Sequence, residues 1–228
     1  MDGRLNYDMG TGVVAFSTMR NGELPFPVLQ PHQVHGDRIE IVRRRDMTRE
    51  DLEGVDGLIT DLYGLAIGVR TADCVPVLLY ENEANVVAAV HSGWRGTVAR
   101  ISQKCIRIMA EEFGADSGKM RAVIGPSIGP ESFQVGEEVV EEFRKAGLPM
   151  DLIASYQGER TGSGMDGGWH IDLWKANRWL LEEMGIRSEN IEVCGVCTYE
   201  RNDLFFSARH EGRKCGRIIN VIKMEDER

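Results

Sequence analysis

Residues 71–97, TADCVPVLLYENEANVVAAVHSGWRGT, contain the two apolar runs on which the fold prediction rests. Residues 75–80 and 86–91 are short runs dominated by valine, leucine and alanine, and polar turn residues separate them. Runs of this length and composition are typical of buried β-strands. Cys74 stands directly before the first run, and His91 ends the second. Each predicted strand therefore carries a chemically reactive side chain at one end.

The remainder of the chain predicts more strands and three helices. Further strands are predicted at residues 38–42, 57–60, 65–70, 122–124, 191–194 and 217–222, which are β-branched or apolar runs bounded by turn residues. The first helix is predicted from apolar residues three and four positions apart, namely Val98, Ile101, Cys105, Ile108 and Met109. The second covers residues 137–146, and the third begins at the N-cap Asp172 and ends before Gly185. This mixture predicts an α+β fold, in the form of a single mixed α/β domain over residues 1–228.

The composition excludes several classes of protein. With 42% hydrophobic residues, the chain can bury a sizeable core, which argues against disorder. Its 36 acidic and 27 basic residues give a formal net charge of -9, and a generally acidic surface repels nucleic-acid phosphates. No apolar stretch reaches the ~18 residues of a membrane span, and the N-terminus lacks a signal-peptide core. We therefore expect a cytoplasmic protein that binds neither nucleic acid nor membranes.

Cysteine and glycine patterns give two further expectations. The five cysteines are an odd number without disulfide-scaffold spacing, so in a reducing compartment they serve as core residues, metal ligands or nucleophiles. Cys194 and Cys197 form a CxxC pair, but no second CxxC and no βαβ pattern accompanies it, so a structural role is favoured over redox or metal chemistry. The glycine-rich segment GERTGSGMDGGWH, residues 158–170, is predicted to be a mobile loop.

Three short motifs combine reactive side chains with tight turns: PHQVHGD (residues 31–37), RTADCVPVLL (70–79) and AVHSGWRGT (89–97). Imidazole nitrogen and thiolate sulfur are preferred ligands of zinc, and three protein ligands with an open fourth position are typical of a catalytic zinc site. His35, Cys74 and His91 would supply such a set if the fold brings them together. Isolated residues of these types are more often structural, and a Cys74–His91 pair of nucleophile and base is a further alternative.

In this order the three motifs resemble those of the YfiH/laccase-domain family, whose members were described first as polyphenol oxidases and later as purine nucleoside phosphorylases with adenosine deaminase activity. The resemblance continues through IGPSIGPESFQVGEEV (residues 124–139) and CTYERNDLFFSARHEGRKCGR (residues 197–217). It implies a YfiH-like fold and a metal bound by His35, Cys74 and His91. Zinc is the metal expected from the ligand chemistry, with copper as the alternative.

The resemblance also implies substrates. Purine nucleosides (adenosine, inosine and methylthioadenosine) and phosphate are the expected partners, whereas the oligomeric state is left open. The family's older description offers copper-dependent oxidation of phenols as an alternative, although four-electron reduction of oxygen requires several copper ions and a single His₂Cys set binds one. Two more hypotheses stay open, namely a cysteine hydrolase using Cys74 and His91, and a metal-binding module without catalytic activity.

Further residues are candidates for substrate binding or catalysis. Backbone N–H groups at the start of the first helix, together with Arg95, form a candidate phosphate site, and Arg95 is also a catalytic candidate; the alternative is a surface ion pair. Arg209 is a second phosphate-binding candidate, and Ser17 is a candidate substrate contact. Asp73 is a catalytic candidate that could orient a ligand or accept a proton, although strand alternation would turn its side chain away from that of Cys74.

The three remaining histidines and Arg20 are not among the predicted metal ligands. Surface, rim or structural roles are expected for His32, His170 and His210. Near the N-terminus the chain departs from the family, because residues 16–18 (Phe-Ser-Thr) are followed by a methionine before Arg20. Whether Arg20 replaces the family's arginine is left open by the sequence.

Overall fold

The protein is described by a computed structural model that covers residues 3–158, 160–161, 164–165 and 167–225. The β-strands of these residues are β1 (Arg4–Tyr7), β2 (Val13–Thr18), β3 (Ile39–Ile41), β4 (Gly57–Thr60), β5 (Ile67–Thr71), β6 (Val75–Glu81), β7 (Val86–Ser92), β8 (Arg121–Ile124), β9 (Gln134–Val135), β10 (Ala154–Gln157), β11 (Arg160–Thr161), β12 (Gly164–Met165), β13 (Gly168–Ile171), β14 (Ile191–Val193) and β15 (Ile218–Met224). The α-helices of the same residues are α1 (Trp94–Val98), α2 (Ile101–Phe113), α3 (Glu137–Lys145), α4 (Met150–Ile153), α5 (Leu173–Glu183) and α6 (Ala208–Glu211). The mixed sheets and helices confirm the predicted α+β class. No helix of the described residues is long and apolar enough to cross a membrane.

Strands β6 and β7 lie at the centre of a six-stranded sheet with the order β14-β8-β6-β7-β4-β3. Every residue of both strands is buried. Because successive side chains of a strand point to opposite faces, each strand contributes to two cores. A strand covered on both faces reads as a continuous apolar run, which explains why these two segments show no alternation of polar and apolar residues.

Different layers cover the two faces of this sheet. Val75, Val77 and Leu79 of β6 pack with buried residues of α2, α3 and α5. Leu78 and Tyr80 point to the other face and pack against a second, antiparallel sheet with the order β1-β2-β15-β5. The protein therefore has three layers, in which the six-stranded sheet is sandwiched between helices and the four-stranded sheet.

The eight predicted strands are all present, and their ends differ from the prediction by at most two residues. Strands β1 and β2, which complete the four-stranded sheet, were not predicted. The same holds for the short strands β9, β10 and β13, which form a three-stranded sheet. The predicted mobile loop at residues 158–170 lies partly outside the described residues. Its described part contains the antiparallel strands β11 and β12 and the start of β13.

Two of the three predicted helices are confirmed as α3 and α5, and the Asp172 side chain caps α5 by accepting the backbone N–H of Lys175. The start of the first predicted helix is wrong, because Val98 belongs to the separate helix α1. Arg100, with a φ of 58°, ends the helical conformation between α1 and α2. The Arg100 guanidinium donates to the side chains of Gln103 (3.2 Å) and a glutamate of α5 (2.9 Å), which holds this left-handed residue in place.

Candidate metal centre

Strand pairing brings Cys74 and His91 together. β6 and β7 are antiparallel neighbours in which Pro76 lies opposite His91. Cys74 is two residues before Pro76, so its side chain shares a face with that of His91, diagonally across the two strands. β4 pairs with the other edge of β7 and places Asp56 beside His91, whose backbone N–H donates to the Asp56 carbonyl oxygen at 2.8 Å.

A strained turn before β3 presents His35. The φ of His35 is 61°, in the left-handed region that residues with a Cβ seldom adopt. The carboxylate of Asp56 stabilises this turn by accepting three consecutive backbone N–H groups, from Val34 (3.1 Å), His35 (3.0 Å) and Gly36 (2.8 Å). The same side chain therefore controls the positions of two candidate ligands, one on each side of it.

His35, Cys74 and His91 form a cluster in which one donor atom from each lies within 4.8 Å of the other two. The two imidazole rings meet edge to face, with their centroids 4.9 Å apart. His91 is buried, Cys74 is half-buried and His35 is exposed, so one side of the cluster faces solvent. Within the part of the chain that the structure describes, no other group of three His, Cys, Asp or Glu side chains has this geometry.

The clustered side chains change one another's protonation. Burial disfavours the Cys74 thiolate, but the His91 and His35 rings outweigh that effect and lower the pKa of Cys74 to about 6. Burial also disfavours the charged form of His91, but the Cys74 sulfur and the Asp56 carboxylate raise the pKa of His91 to about 9. The lowered pKa favours the thiolate of Cys74, which is the form that binds metals, and a bound cation would replace the proton on His91. The donor set fits zinc, for which two imidazoles and a thiolate are preferred ligands.

Asp56, which was not among the residues predicted from the sequence, completes the site. Its side chain is fully buried, and Oδ1 accepts a hydrogen bond from His91 Nδ1 at 2.7 Å. Burial alone would raise the pKa of Asp56, but the hydrogen bonds from His91 and from the His35 turn lower it, so the carboxylate stays ionised. The contact leaves Nε2 of His91 for the ligand side, and carboxylates behind ligating histidines are common in zinc sites.

The exposed side of the cluster opens into a cleft of about 990 Å³. Seven arginine and lysine side chains line it, and these are Arg49, Arg70, Arg95, Arg209, Arg213, Lys214 and Arg217. Asp73 is the one acidic residue of the described lining. This concentration of positive charge contrasts with the formal net charge of -9 of the whole chain. A cleft of this kind attracts small anions such as phosphate.

A family model described as multi-copper polyphenol oxidoreductase laccase matches residues 17–225 of the chain. The chain belongs to that family. A protein of Bacteroides thetaiotaomicron named purine nucleoside phosphorylase is 47% identical over 174 residues, which cover 76% of this chain and 62% of that protein. The chain therefore spans less than two thirds of that relative's length. A protein of an unknown prokaryotic organism named adenosine deaminase RL5 is 40% identical over 201 residues, which cover 86% of this chain and 74% of that protein.

A solved structure supports the same assignment. The crystal structure of a hypothetical protein YfiH from Bacillus licheniformis matches with a TM-score of 0.87 at 27% sequence identity. The match covers 99% of this chain and 97% of that chain. The YfiH-like fold and the laccase-domain family, both predicted from the three motifs, are thereby confirmed.

In this laccase-domain protein, the phosphate-binding candidates Arg95 and Arg209 both line the cleft. Arg95 is exposed, and its guanidinium lies over the ring of Trp94, 4.3 Å from the centroid. The predicted contribution of a helix start is weak, because α1 has only five residues and so a small dipole. The Arg209 guanidinium donates to the backbone carbonyl oxygens of Ser132 (3.4 Å) and Gln134 (3.2 Å), so the protein already occupies part of its donor capacity.

Asp73 lines the cleft next to Cys74, and hydrogen bonds from the protein engage both of its carboxylate oxygens. Oδ1 accepts the hydroxyl of Thr198 at 2.7 Å, and Oδ2 accepts the backbone N–H of Arg209 at 2.7 Å. Asp73 has a φ of 85°, which places a second strained residue beside a candidate ligand. These bonds tie the segment that carries Arg209 to the strand end that carries Cys74.

Ser17 is the predicted substrate contact that the structure does not place at the cleft. Its side chain is fully buried, its hydroxyl donates to Asn220 Oδ1 at 2.5 Å, and it is hydrogen-bonded to the Tyr7 hydroxyl at 2.7 Å. Ser17 lies on β2 opposite Asn220 of β15, inside the four-stranded sheet. Because both partners are buried within the sheet, we assign Ser17 a structural role in place of the predicted one.

The other polar candidates lie outside the cluster. Arg20 donates to both carboxylate oxygens of Glu211, at 3.0 and 2.6 Å, and so holds the segment around α6 without lining the cleft. His32 lines the cleft but is exposed and hydrogen-bonded to a glutamate. His170 is buried with a ring nitrogen against a backbone carbonyl at 2.9 Å, and His210 is exposed beside a tyrosine ring. These positions agree with the surface, rim and structural roles expected for the histidines.

The CxxC pair has a structural environment. Cys194 and Cys197 are both free thiols, and neither belongs to the candidate metal cluster of the described residues. Cys197 is buried and its sulfur accepts the backbone N–H of Gly129 at 3.2 Å. The sulfur therefore secures a turn, as the favoured interpretation of this motif expects.

Proposed function

We propose that this laccase-domain protein is a metal-dependent purine nucleoside phosphorylase that also deaminates adenosine. The convergence of His35, Cys74 and His91 beside a cationic cleft of about 990 Å³ carries the proposal. A cleft of this volume has room for a nucleoside and a phosphate together. Relatives named for each of the two activities agree with it. We further propose zinc as the metal, because two imidazoles and a thiolate are its typical donors.

The residues of the cleft would bind and orient the two substrates. Phosphorolysis holds phosphate against C1′ of the ribose while the base departs. Trp94 is half-buried at the cleft and offers aromatic surface for the base, and the arginines neutralise the phosphate. Arg95 is our candidate for a contact to phosphate or base, because its guanidinium is exposed to the cleft. A zinc ion held by the cluster would supply a Lewis acid for an oxygen of water or substrate.

In this proposal Asp73 is a positioning residue for Arg209. Both of its oxygens accept hydrogen bonds from the protein, so it fixes the backbone of Arg209 beside Cys74. Arg209 then presents its remaining N–H groups to the cleft. This role replaces the proton acceptor considered from the sequence.

The proposal is tested by incubating the purified protein with adenosine and with inosine, with and without phosphate, and separating the products by chromatography. Phosphate-dependent release of ribose 1-phosphate and free base would support phosphorolysis. Formation of inosine from adenosine without phosphate would support deamination. The absence of all of these products would exclude the proposed function, even if the protein binds zinc.

Copper-dependent oxidation of phenols is a second candidate, which the description of the family model favours. It predicts oxygen consumption that depends on copper and is independent of phosphate. We rank it lower because the described residues contain a single cluster able to hold a metal.

A hydrolase using Cys74 and His91 predicts activity that resists chelators. The cytoplasmic location expected from the sequence also remains a proposal.

A further inference from the structure

Arg70 is a half-buried arginine that stands near the end of β5 and lines the cleft. Hydrogen bonds fix its backbone, because the Gln33 side chain accepts the N–H of Arg70 at 2.8 Å and donates to its carbonyl oxygen at 2.9 Å. Gln33 belongs to the same turn as the candidate ligand His35. The backbone that carries the Arg70 guanidinium is therefore held in a defined position relative to the metal centre.

Two other arginines lie beside Arg70. In the antiparallel pairing of β5 with β15, Arg70 lies opposite Ile219. Arg217 is two residues before Ile219, so it is on the same face of the sheet, diagonal to Arg70. Arg49 lines the same cleft from the turn before the 3₁₀ helix Glu50–Leu52. Desolvation, followed by the positive charges of Arg49 and Arg217, lowers the pKa of Arg70.

This arrangement is unfavourable without an anion. Like charges that face each other across a sheet repel, and the partial burial of Arg70 and Arg217 removes part of the solvation that would screen them. Neither Arg49 nor Arg70 forms an ion pair with any described residue, and Arg217 donates to groups of its own turn. Carboxylates are not scarce, because the chain has 36 acidic residues for 27 basic ones. The three positive charges are thus left without carboxylate partners along the cleft of an otherwise acidic protein.

The cluster differs from the arginines already assigned to the cleft. Arg95 stacks on Trp94, and Arg209 donates to backbone carbonyl oxygens. Arg217 resembles Arg209 in this respect, because its guanidinium also donates to backbone carbonyl oxygens. Arg49 and Arg70 differ, because their guanidinium groups have no hydrogen-bond partner among the described residues. Guanidinium groups present planar forks of N–H donors that match the oxygens of phosphate. The three guanidinium groups supply the positive charge that a phosphate dianion requires, and Arg49 and Arg70 supply most of the donors, because the turn of Arg217 already engages part of its donor capacity.

We propose that Arg49, Arg70 and Arg217 form a binding site for a phosphate dianion within the cleft. The assignment of that dianion as a co-substrate rests on the proposed function, whereas the site itself does not. Two sources supply the same chemistry: inorganic phosphate, which phosphorolysis consumes, and the phosphate ester of a nucleoside 5′-phosphate. The test separates the two.

Isothermal titration calorimetry of the full chain with inorganic phosphate, and separately with adenosine 5′-phosphate, tests the site. Arg70→Gln and Arg49→Gln are each expected to weaken binding on the order of tenfold or more, because each removes a charge-assisted contact. Arg70→Lys is expected to weaken it less, because it keeps the charge and loses the planar fork. Arg107→Gln is the matched control, since Arg107 is an exposed arginine of α2 outside the cleft, and it should bind like the parent.

The outcomes are distinct. Weaker binding of inorganic phosphate supports a co-substrate site, and weaker binding of the nucleotide alone supports an ester site. Unchanged affinities in both glutamine variants, or no binding of either probe by the parent, would overturn the proposal. Because Arg49 is exposed in a surface turn, its variant is expected to fold even if Arg70→Gln does not, and circular dichroism checks both.

Failure of the site and failure of the proposed function are distinguishable. A protein that binds phosphate through Arg70 but produces no ribose 1-phosphate keeps the site and loses the function. A protein that phosphorolyses nucleosides with the same KM for phosphate in the parent, Arg70→Gln and Arg49→Gln keeps the function and loses the site.

Discussion

A Cβ atom added to Gly93 would lie 3.0 Å from the sulfur of Cys74. The φ of Gly93 is -61°, a value that any residue adopts, so the backbone conformation does not require glycine here. The nearby sulfur favours glycine, because a Cβ atom at this distance would be in tighter contact than nine in ten real Cβ atoms, and the sulfur would have to shift by a few tenths of an ångström. The connection from β7 to α1 therefore passes directly against the candidate metal centre. The small space beside the Cys74 sulfur explains why the first glycine of the HSGWRG motif, Gly93, has no side chain.

Gly93→Ala is expected to lower zinc affinity on the order of tenfold or more, because the added methyl group displaces the sulfur from its position beside His91. Competition with a chromophoric chelator measures the affinity. Gly118→Ala is the control: its methyl group would meet a carboxylate oxygen of the exposed Asp116 at 3.3 Å, and that side chain can move. Equal zinc affinities in the two variants would contradict the steric argument.

Cys74→Ala is expected to abolish stoichiometric zinc, because it removes the thiolate donor. Elemental analysis of the purified variant gives the metal content per chain. Cys215→Ala provides a matched comparison, since Cys215 is a half-buried thiol of the same cleft that does not belong to the cluster. We expect that variant to keep its zinc. Full zinc occupancy in Cys74→Ala would place the metal elsewhere in the protein.

Asp56→Asn is expected to lower zinc affinity by about 10- to 100-fold, because an amide orients His91 less strongly than a carboxylate does. Its NH₂ group would also face the backbone donors of the His35 turn, so the melting temperature should fall as well. Chelator competition and thermal unfolding measure the two effects. Asp151→Asn, at an exposed position in α4, should change neither. An Asp56→Asn variant with parental zinc affinity would mean that His91 is oriented without this carboxylate.

Ser17→Ala is expected to lower the free energy of unfolding by about 1–3 kcal/mol, because it leaves the buried polar groups of Tyr7 and Asn220 without their shared partner. The KM for nucleoside should stay unchanged. Urea denaturation and steady-state kinetics measure the two quantities, and Ser155→Ala, at an exposed site in β10, is the control. A raised KM at unchanged stability would restore the substrate contact predicted from the sequence.

That residues 1–228 form one domain stays a prediction. The six-stranded sheet contributes side chains to the cores on both of its faces, so we expect the layers to unfold together. Denaturation followed by far-ultraviolet and near-ultraviolet circular dichroism should give coincident curves. Two separated transitions would contradict a single domain.

The sequence was most informative where burial leaves a simple pattern. β6 and β7 are covered on both faces, so their apolar runs could be recognised without knowing the topology. Cys74 and His91 could be recognised as candidate ligands for a related reason, because each stands at the end of one of these apolar runs. β2 was missed because its last two residues, Ser17 and Thr18, are polar yet buried, and their hydroxyls bond within the sheet.

Interactions between distant residues account for what the sequence could not predict. Arg100 stands within a helical pattern, and its left-handed conformation depends on contacts with α5, 83 residues away. Asp56 precedes a strand, which is a common position for an acidic residue and does not indicate a functional role. Its role depends on a hydrogen bond with the imidazole of His91, 35 residues further along the chain. Neither partner is visible until the sheets and helices are in place.

Sliding β6 by one residue against β7 would turn every side chain of the strand to the opposite layer. Val75, Val77 and Leu79 would then leave the helical side, and Cys74 would point away from His91. The same shift in register would disrupt the packing of the hydrophobic core and separate the three candidate ligands. Metal content per chain would therefore report how many molecules in a preparation have paired their central strands correctly, before any assay of turnover.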